Sequence, residues 1–210
     1  ENHPKTEILV GDIRSVQVEK VRRQLELGVG ELDLLAGGPP CQGFSVNAPV
    51  RSAEDERNHL FRNYLQFVGV FKPKFVLIEN VPGMVSFSKG ATIVAILESL
   101  RDLGYSVDVR ILFAPNFGVP QIRWRTIFLA TRLDINPSAL FPVPEYSASG
   151  NSNFTSKLNG VSLKLEPEYI TANAFRPCIS VWDAIGDLPQ IVNGGGADSA
   201  QHFMFWLQDK

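Results

Sequence analysis

Short β-rich runs alternate with helical periods along the first 131 residues, and that alternation restricts the chain to an α/β unit built around a sheet. Five runs predict strands, at residues 7–10, 32–36, 75–79, 106–113 and 126–131, each bounded by Gly, Pro, Asn or Asp. Between them Leu60, Tyr64, Phe67, Val68 and Phe71 recur at helical spacing, as do Ile93, Ile96, Leu97, Leu100 and Leu103. Lys72-Pro73 stops the first of these amphipathic helices, and Gly104 is placed to cap the second. A weaker period predicts a further helix over 16–27. Strands separated by helices imply a largely parallel sheet. Residues 106–113 and 126–131 are joined by only a short loop, so this pair is expected to run antiparallel. Val107, Val109, Ile111 and Phe113 alternate with Asp108, Arg110 and Leu112, which predicts one better-buried face.

Beyond Phe141 the periods end. Pro142, Pro144, Gly150, Asn151, Ser152 and Asn153 break the pattern, and a boundary is expected near residue 140, dividing a core unit (1–140) from a connector (141–210). The connector holds one credible helix start, at Ser180-Val181-Trp182-Asp183, and a turning Gly194-Gly195-Gly196. The net charge of -2, from 20 Lys and Arg against 22 Asp and Glu, neither announces nor excludes a nucleic-acid partner, because affinity depends on where the cations sit. The longest apolar runs, such as 75–78, are too short to span a bilayer and the polar start has no secretory pattern, so an intracellular, cytoplasmic protein is expected. Cys41 and Cys178 read as free thiols in a reducing compartment, and three scattered His residues make a metal site unexpected. A start at Glu1 rather than Met reads as a piece of something longer.

The densest chemistry follows the second predicted strand, in Gly37-Gly38-Pro39-Pro40-Cys41-Gln42-Gly43-Phe44-Ser45. Ligands of open parallel sheets bind beyond the carboxyl ends of strands, which is where this loop falls. Its glycines permit close backbone approach and its prolines stiffen the path to Cys41. A lone cysteine is more often a small buried hydrophobe; the surrounding loop favours a nucleophile. Glu79 closes an apolar strand, placed either to hold and return a proton or to cap the following loop. Arg123 and Arg125, two apart, project to the same side of an extended segment, as an anion-facing pair or as surface charge. Asp12 is equally suited to accept from an amino group and to cap a following helix. Leu60 is a cofactor-side contact or simply core.

Gly37 to Ser45 closely resembles the nucleophile motif of the DNA (cytosine-5)-methyltransferases, and three further matches follow that family's order: Gly11-Asp12-Ile13, Glu79-Asn80-Val81 and Gln121-Ile122-Arg123-Trp124-Arg125. The four motifs stand at family-like spacing, and the resemblance covers nearly all of residues 6–131. The resemblance implies a Rossmann-like, S-adenosylmethionine-dependent methyltransferase fold and a bacterial source, with a nuclear eukaryotic enzyme as the alternative. It implies that Cys41 attacks C6 of a flipped-out cytosine in double-stranded DNA while Glu79 holds N3, Arg125 meets O2 and Arg123 steadies the loop. Asp12, Pro39 and Leu60 would face the cofactor; Pro40, Gln42, Ser45, Asn80 and Gln121 would face the base and the DNA.

The family also carries a glycine-rich strand loop for the methionine end of the cofactor, and neither it nor the acidic ribose residue is found in residues 1–11. The fold is therefore expected to be incomplete at its N-terminal strand and C-terminal region. The chain alone is expected to bind S-adenosylmethionine poorly and to need missing segments or a second chain for turnover. Two alternatives stand beside this reading: a methyltransferase-like module that binds DNA or a partner without turnover, and an RNA cytosine-5 methyltransferase.

Overall fold

The computed structural model describes residues 6–40, 60–85, 87–148, 150, 157–158, 161–162, 164–165 and 176–188. Cys41, Gln42 and Ser45 lie outside the described residues, as does Gly194-Gly195-Gly196. In chain order the elements are α1 (Val18–Gln24), β1 (Leu34–Gly37), α2 (Leu60–Phe71), β2 (Phe75–Asn80), α3 (Ala91–Asp102), β3 (Ser106–Phe113) and β4 (Trp124–Thr131). Short strands β5 (Tyr146–Ser147), β6 (Lys157–Leu158), β7 (Val161–Ser162), β8 (Lys164–Leu165) and β9 (Arg176–Pro177) follow, and then α4 (Val181–Ile185).

The main sheet has the order β1-β2-β4-β3-β8. β1 and β2 run parallel, β2 and β4 antiparallel, β3 and β4 antiparallel, and β3 and β8 parallel. The sheet is thus mixed rather than largely parallel: β4 reverses direction and enters between β2 and β3. The expected antiparallel pairing of β3 with β4 is present over its whole length, Ser106 opposite Thr131 and Phe113 opposite Trp124.

Register fixes which side chains share a face. Leu35 lies opposite Val76, Val76 opposite Ala130, and Phe128 opposite Val109, so these residues form one face. That face is the core. It packs on Phe61, Tyr64, Leu65 and Val68 of α2 and on Ile93, Ile96 and Leu100 of α3. The other face carries Phe75, Leu77 and Glu79 of β2 and is less buried, in the alternating pattern that sheets covered on one side display.

Residues 6–10 do not form the expected strand. They carry no regular secondary structure and are exposed, with Ile8, Leu9 and Val10 at 79%, 68% and 95% exposure. A strand's N–H and C=O groups are satisfied by a neighbour, and among the described residues none pairs with this run. The helix expected over 16–27 is confined to Val18–Gln24; Glu26 takes a positive φ of 54°, which ends it.

Candidate active site

One edge of the sheet gathers the motif residues, and strand direction explains why. Parallel β1 and β2 end at the same edge, and antiparallel β4 begins there. The C-termini of the first two, Gly37 and Asn80, therefore meet the N-terminus of the third, Trp124-Arg125.

On the open face of that edge Glu79 and Arg125 form an ion pair, Arg125 Nε to Glu79 Oε1. Glu79 lies opposite Ile127, so Arg125 is its diagonal neighbour on the same face, a separation that long side chains bridge. Arg125 also donates from Nη1 to the Trp124 carbonyl at 2.8 Å, which orients the guanidinium. The Glu79 side chain is 42% exposed and that of Arg125 23%. Glu79 is therefore partly open to solvent and set against a cation and a loop backbone, with Ile127 as its cross-strand neighbour. The loop comes close: a Cβ added at Gly38 would stand 3.2 Å from Glu79 Oε2.

Asn80 points the other way, into the buried face, and is 5% exposed. Its Nδ2 donates to the Pro39 carbonyl at 3.1 Å and its Oδ1 accepts from the Val81 amide at 2.8 Å. Adjacent residues of β2 thus perform separate tasks, Glu79 holding Arg125 and Asn80 pinning the loop that leads to Cys41. Arg123 is exposed, its carbonyl accepting from the Ala114 amide at 2.9 Å. Its neighbour Trp124 faces the core and stacks on Phe113, centroids 4.2 Å apart. Gln121 is exposed and lines a separate cleft of about 430 Å³ with Phe113, Ile122, Cys178 and Val181.

A larger cleft, about 540 Å³, opens beyond the end of β1. Asp12, Pro39 and Leu60, expected to face a cofactor, all line it, together with Pro40. Its lining combines Gly37 and Gly38, the apolar residues Leu60 and Phe67, and the charged residues Asp12 and Arg14. Asp12 also caps the 3-10 turn Ile13–Ser15 by accepting from the Arg14 amide. Arg14 binds the same carboxylate through Nε (3.0 Å) and Nη2 (2.6 Å). The guanidinium and amide of Arg14 hold the Asp12 carboxyl down at about 2.

Two cleft residues were not singled out from the sequence. Arg14, two residues after Asp12, carried a signal in its charge alone. Tyr64 read as one more member of the apolar period of α2; its signal was a single hydroxyl on a face otherwise made of Leu, Phe and Val. That hydroxyl stands 2.9 Å from the Leu35 carbonyl and 3.1 Å from that of Leu77.

The family model for C-5 cytosine-specific DNA methylases matches residues 1–179. The chain is 38% identical over 196 residues to the type II methyltransferase M.AgeI of Thalassovita gelatinovora, covering 91% of this chain and 43% of that protein. It is 33% identical over 196 residues to the type II methyltransferase M.AquIA of Picosynechococcus sp., covering 90% of this chain and 73% of the other. In fold it resembles a solved protein described as a DNA modification methyltransferase encoded within an E. coli prophage. That match has a TM-score of 0.58 at 23% identity, over 90% of this chain and 44% of the other. The chain spans about two fifths of the length of several curated relatives it matches. With four motifs in order, a sheet edge that brings together residues of three of them and a family match over most of its length, the chain belongs to the C-5 cytosine-specific DNA methylases.

Proposed function

We propose that this chain supplies the nucleophile side of an enzyme that methylates C5 of cytosine in double-stranded DNA, as part of a bacterial restriction-modification type system. The observation that carries the reading is the joining of Glu79 and Arg125 at the sheet edge where Asn80 anchors the loop leading to Cys41. A carboxyl and a guanidinium side by side match the polar edge of cytosine, whose N3 takes a hydrogen bond from, or shares a proton with, an acid and whose O2 accepts from a cation.

Neutral thiols add poorly to C6 of cytosine, so Cys41 must act as its thiolate, and the negative charge that develops at N3 must be met by a proton donor. Glu79 serves there, Arg125 holds O2, and Arg123 steadies the loop. Addition of the Cys41 sulfur to C6 makes C5 nucleophilic; loss of the C5 proton after methylation lets the sulfur leave and restores the ring. C6 is inaccessible within a stacked duplex, so the base must rotate out, at a cost of a few kcal/mol that contacts at Arg125, Asn80 and the Pro40 carbonyl would offset. Gln42, Ser45 and Gln121 would face the DNA around it.

The cleft beyond β1 fits the adenosine end of S-adenosylmethionine, offering apolar walls at Leu60 and Phe67 for a flat ring and the Asp12 carboxylate for an exocyclic amine. Asp12, Pro39 and Leu60 would hold it. When bound, the group supplies an electrophilic methyl on a sulfonium.

In the enzyme containing this chain, labelled methyl should pass to duplex DNA and not to tRNA, and Glu79→Gln should lower the rate about 100-fold or more, as loss of a general acid does. Transfer to tRNA with DNA inert would replace the DNA reading with an RNA one.

A further inference from the structure

We propose that Tyr64 is a positioning residue for this reaction, its buried hydroxyl and ring fixing the end of β1 so that Gly37 and Gly38 hold a set distance from Glu79. The inference rests on the proposed methyl transfer for its functional meaning, but its structural content stands on contacts alone. Tyr64 lies on the face of α2 that covers the sheet, at 5% exposure. Burying a hydroxyl costs free energy unless it is bonded, and here the single proton is shared between two carbonyls on adjacent strands, Leu35 of β1 and Leu77 of β2. Burial pushes the Tyr64 phenol well above the ordinary tyrosine range, with the nearby Tyr105 adding to the shift, so the group remains a donor throughout the working range.

The ring continues the constraint. A Cβ built at Gly37 would come within 2.5 Å of Tyr64 Cε2 and 2.8 Å of Cδ2, so the backbone at Gly37 rests directly on the ring. The next residue, Gly38, faces Glu79 Oε2. Tyr64, Gly37, Gly38 and Glu79 thus follow one another closely from a core helix to a site carboxylate, with little room for a side chain at either glycine. Asn80 holds the following residue, Pro39, from the buried side. The loop is fixed at two successive points before it reaches Cys41, and Tyr64 is the one that belongs to none of the motifs.

Tyr64→Phe keeps the ring and removes only the shared hydrogen bond, whose usual net worth corresponds to about a two- to tenfold change in a local equilibrium. Tyr64→Leu removes both. Amide hydrogen exchange on the full chain should show Gly37 and Gly38 exchanging about two- to tenfold faster in Tyr64→Phe, with α3 and β3 at wild-type rates. Tyr64→Leu should accelerate all of them, and Tyr64→Phe should recover the rates in α3 and β3 only. In the enzyme containing this chain, Tyr64→Phe should lower kcat about two- to tenfold while KM for DNA stays unchanged, because misplacing a reacting group costs rate without costing substrate binding. Wild-type exchange at Gly37 and Gly38 in Tyr64→Phe would overturn the proposal, as would acceleration spread evenly over α3 and β3. If wild type transfers no methyl to DNA, the proposed function fails, while the exchange measurement still decides what Tyr64 does.

Discussion

At Asp12, one carboxylate receives the backbone amide, Nε and Nη2 of Arg14 within a three-residue turn. Its folded value of about 2 lies below the ordinary 3.8, so any stability the pair contributes is fully present above 3.8 and is lost as pH falls through about 2. Carbon-detected titration of the Asp12 carboxyl should give a midpoint near 2 in wild type and one closer to 3.8 in Arg14→Gln. A wild-type midpoint near 3.8 would mean that Arg14 does not hold the carboxylate in solution. At this scale the sequence showed residue identity better than environment. Asp12, Pro39 and Leu60, grouped by the family resemblance, do line one cleft, but Arg14 occupying Asp12, and Arg125 occupying Glu79, depend on side-chain reach across a turn and across two strands. No spacing in the sequence encodes that reach.

Among the elements, α2 and β3 were read most closely, over Leu60–Phe71 and Ser106–Phe113, because each buries one face and a period of 3.6 or 2 records which. The run at 7–10 was not, since an apolar β-rich sequence becomes a strand only beside a partner, and the partner is not encoded in the run itself. The mixed direction of the sheet was legible only where β3 and β4 are joined by a short loop. Two glycines in or against α2 are expected to respond oppositely to alanine. At Gly37 the new methyl would meet the Tyr64 ring at 2.5 Å, in a buried setting where the ring cannot withdraw, at a cost of about 1–3 kcal/mol. At Gly69, inside α2, the nearest atom is Leu103 Cδ2 at 3.6 Å, an ordinary contact, and helix propensity should raise stability by about 0.5–1 kcal/mol. Denaturant unfolding of both variants measures the two signs; a stabilised Gly37→Ala would show that α2 is not seated on β1 as described.

For the molecule as a whole, exposed apolar side chains at residues 8–10 and on β1 set the expectation for behaviour in solution. Ile8, Leu9 and Val10 are exposed, Leu34 of β1 is 51% exposed, and among the described residues β1 pairs with β2 only. An open strand edge beside apolar side chains favours association. Light scattering on the purified chain should therefore show self-association, and calorimetry should show weak uptake of S-adenosylmethionine. Micromolar binding by a monodisperse monomer would mean that the cleft between Asp12 and Leu60 suffices alone. In the proposed reaction Cys41 forms a covalent bond to C6 at a site built by Glu79, Asn80 and Arg125. Fluorine at C5 cannot leave as a proton does, so DNA carrying 5-fluorocytosine should trap that bond. With S-adenosylmethionine present, the enzyme containing this chain should form a denaturation-resistant adduct with such DNA, and its Cys41→Ser variant should form none and transfer no methyl. Methyl transfer retained by Cys41→Ser, or wild-type transfer to ordinary DNA with no adduct on the fluorinated one, would contradict the account.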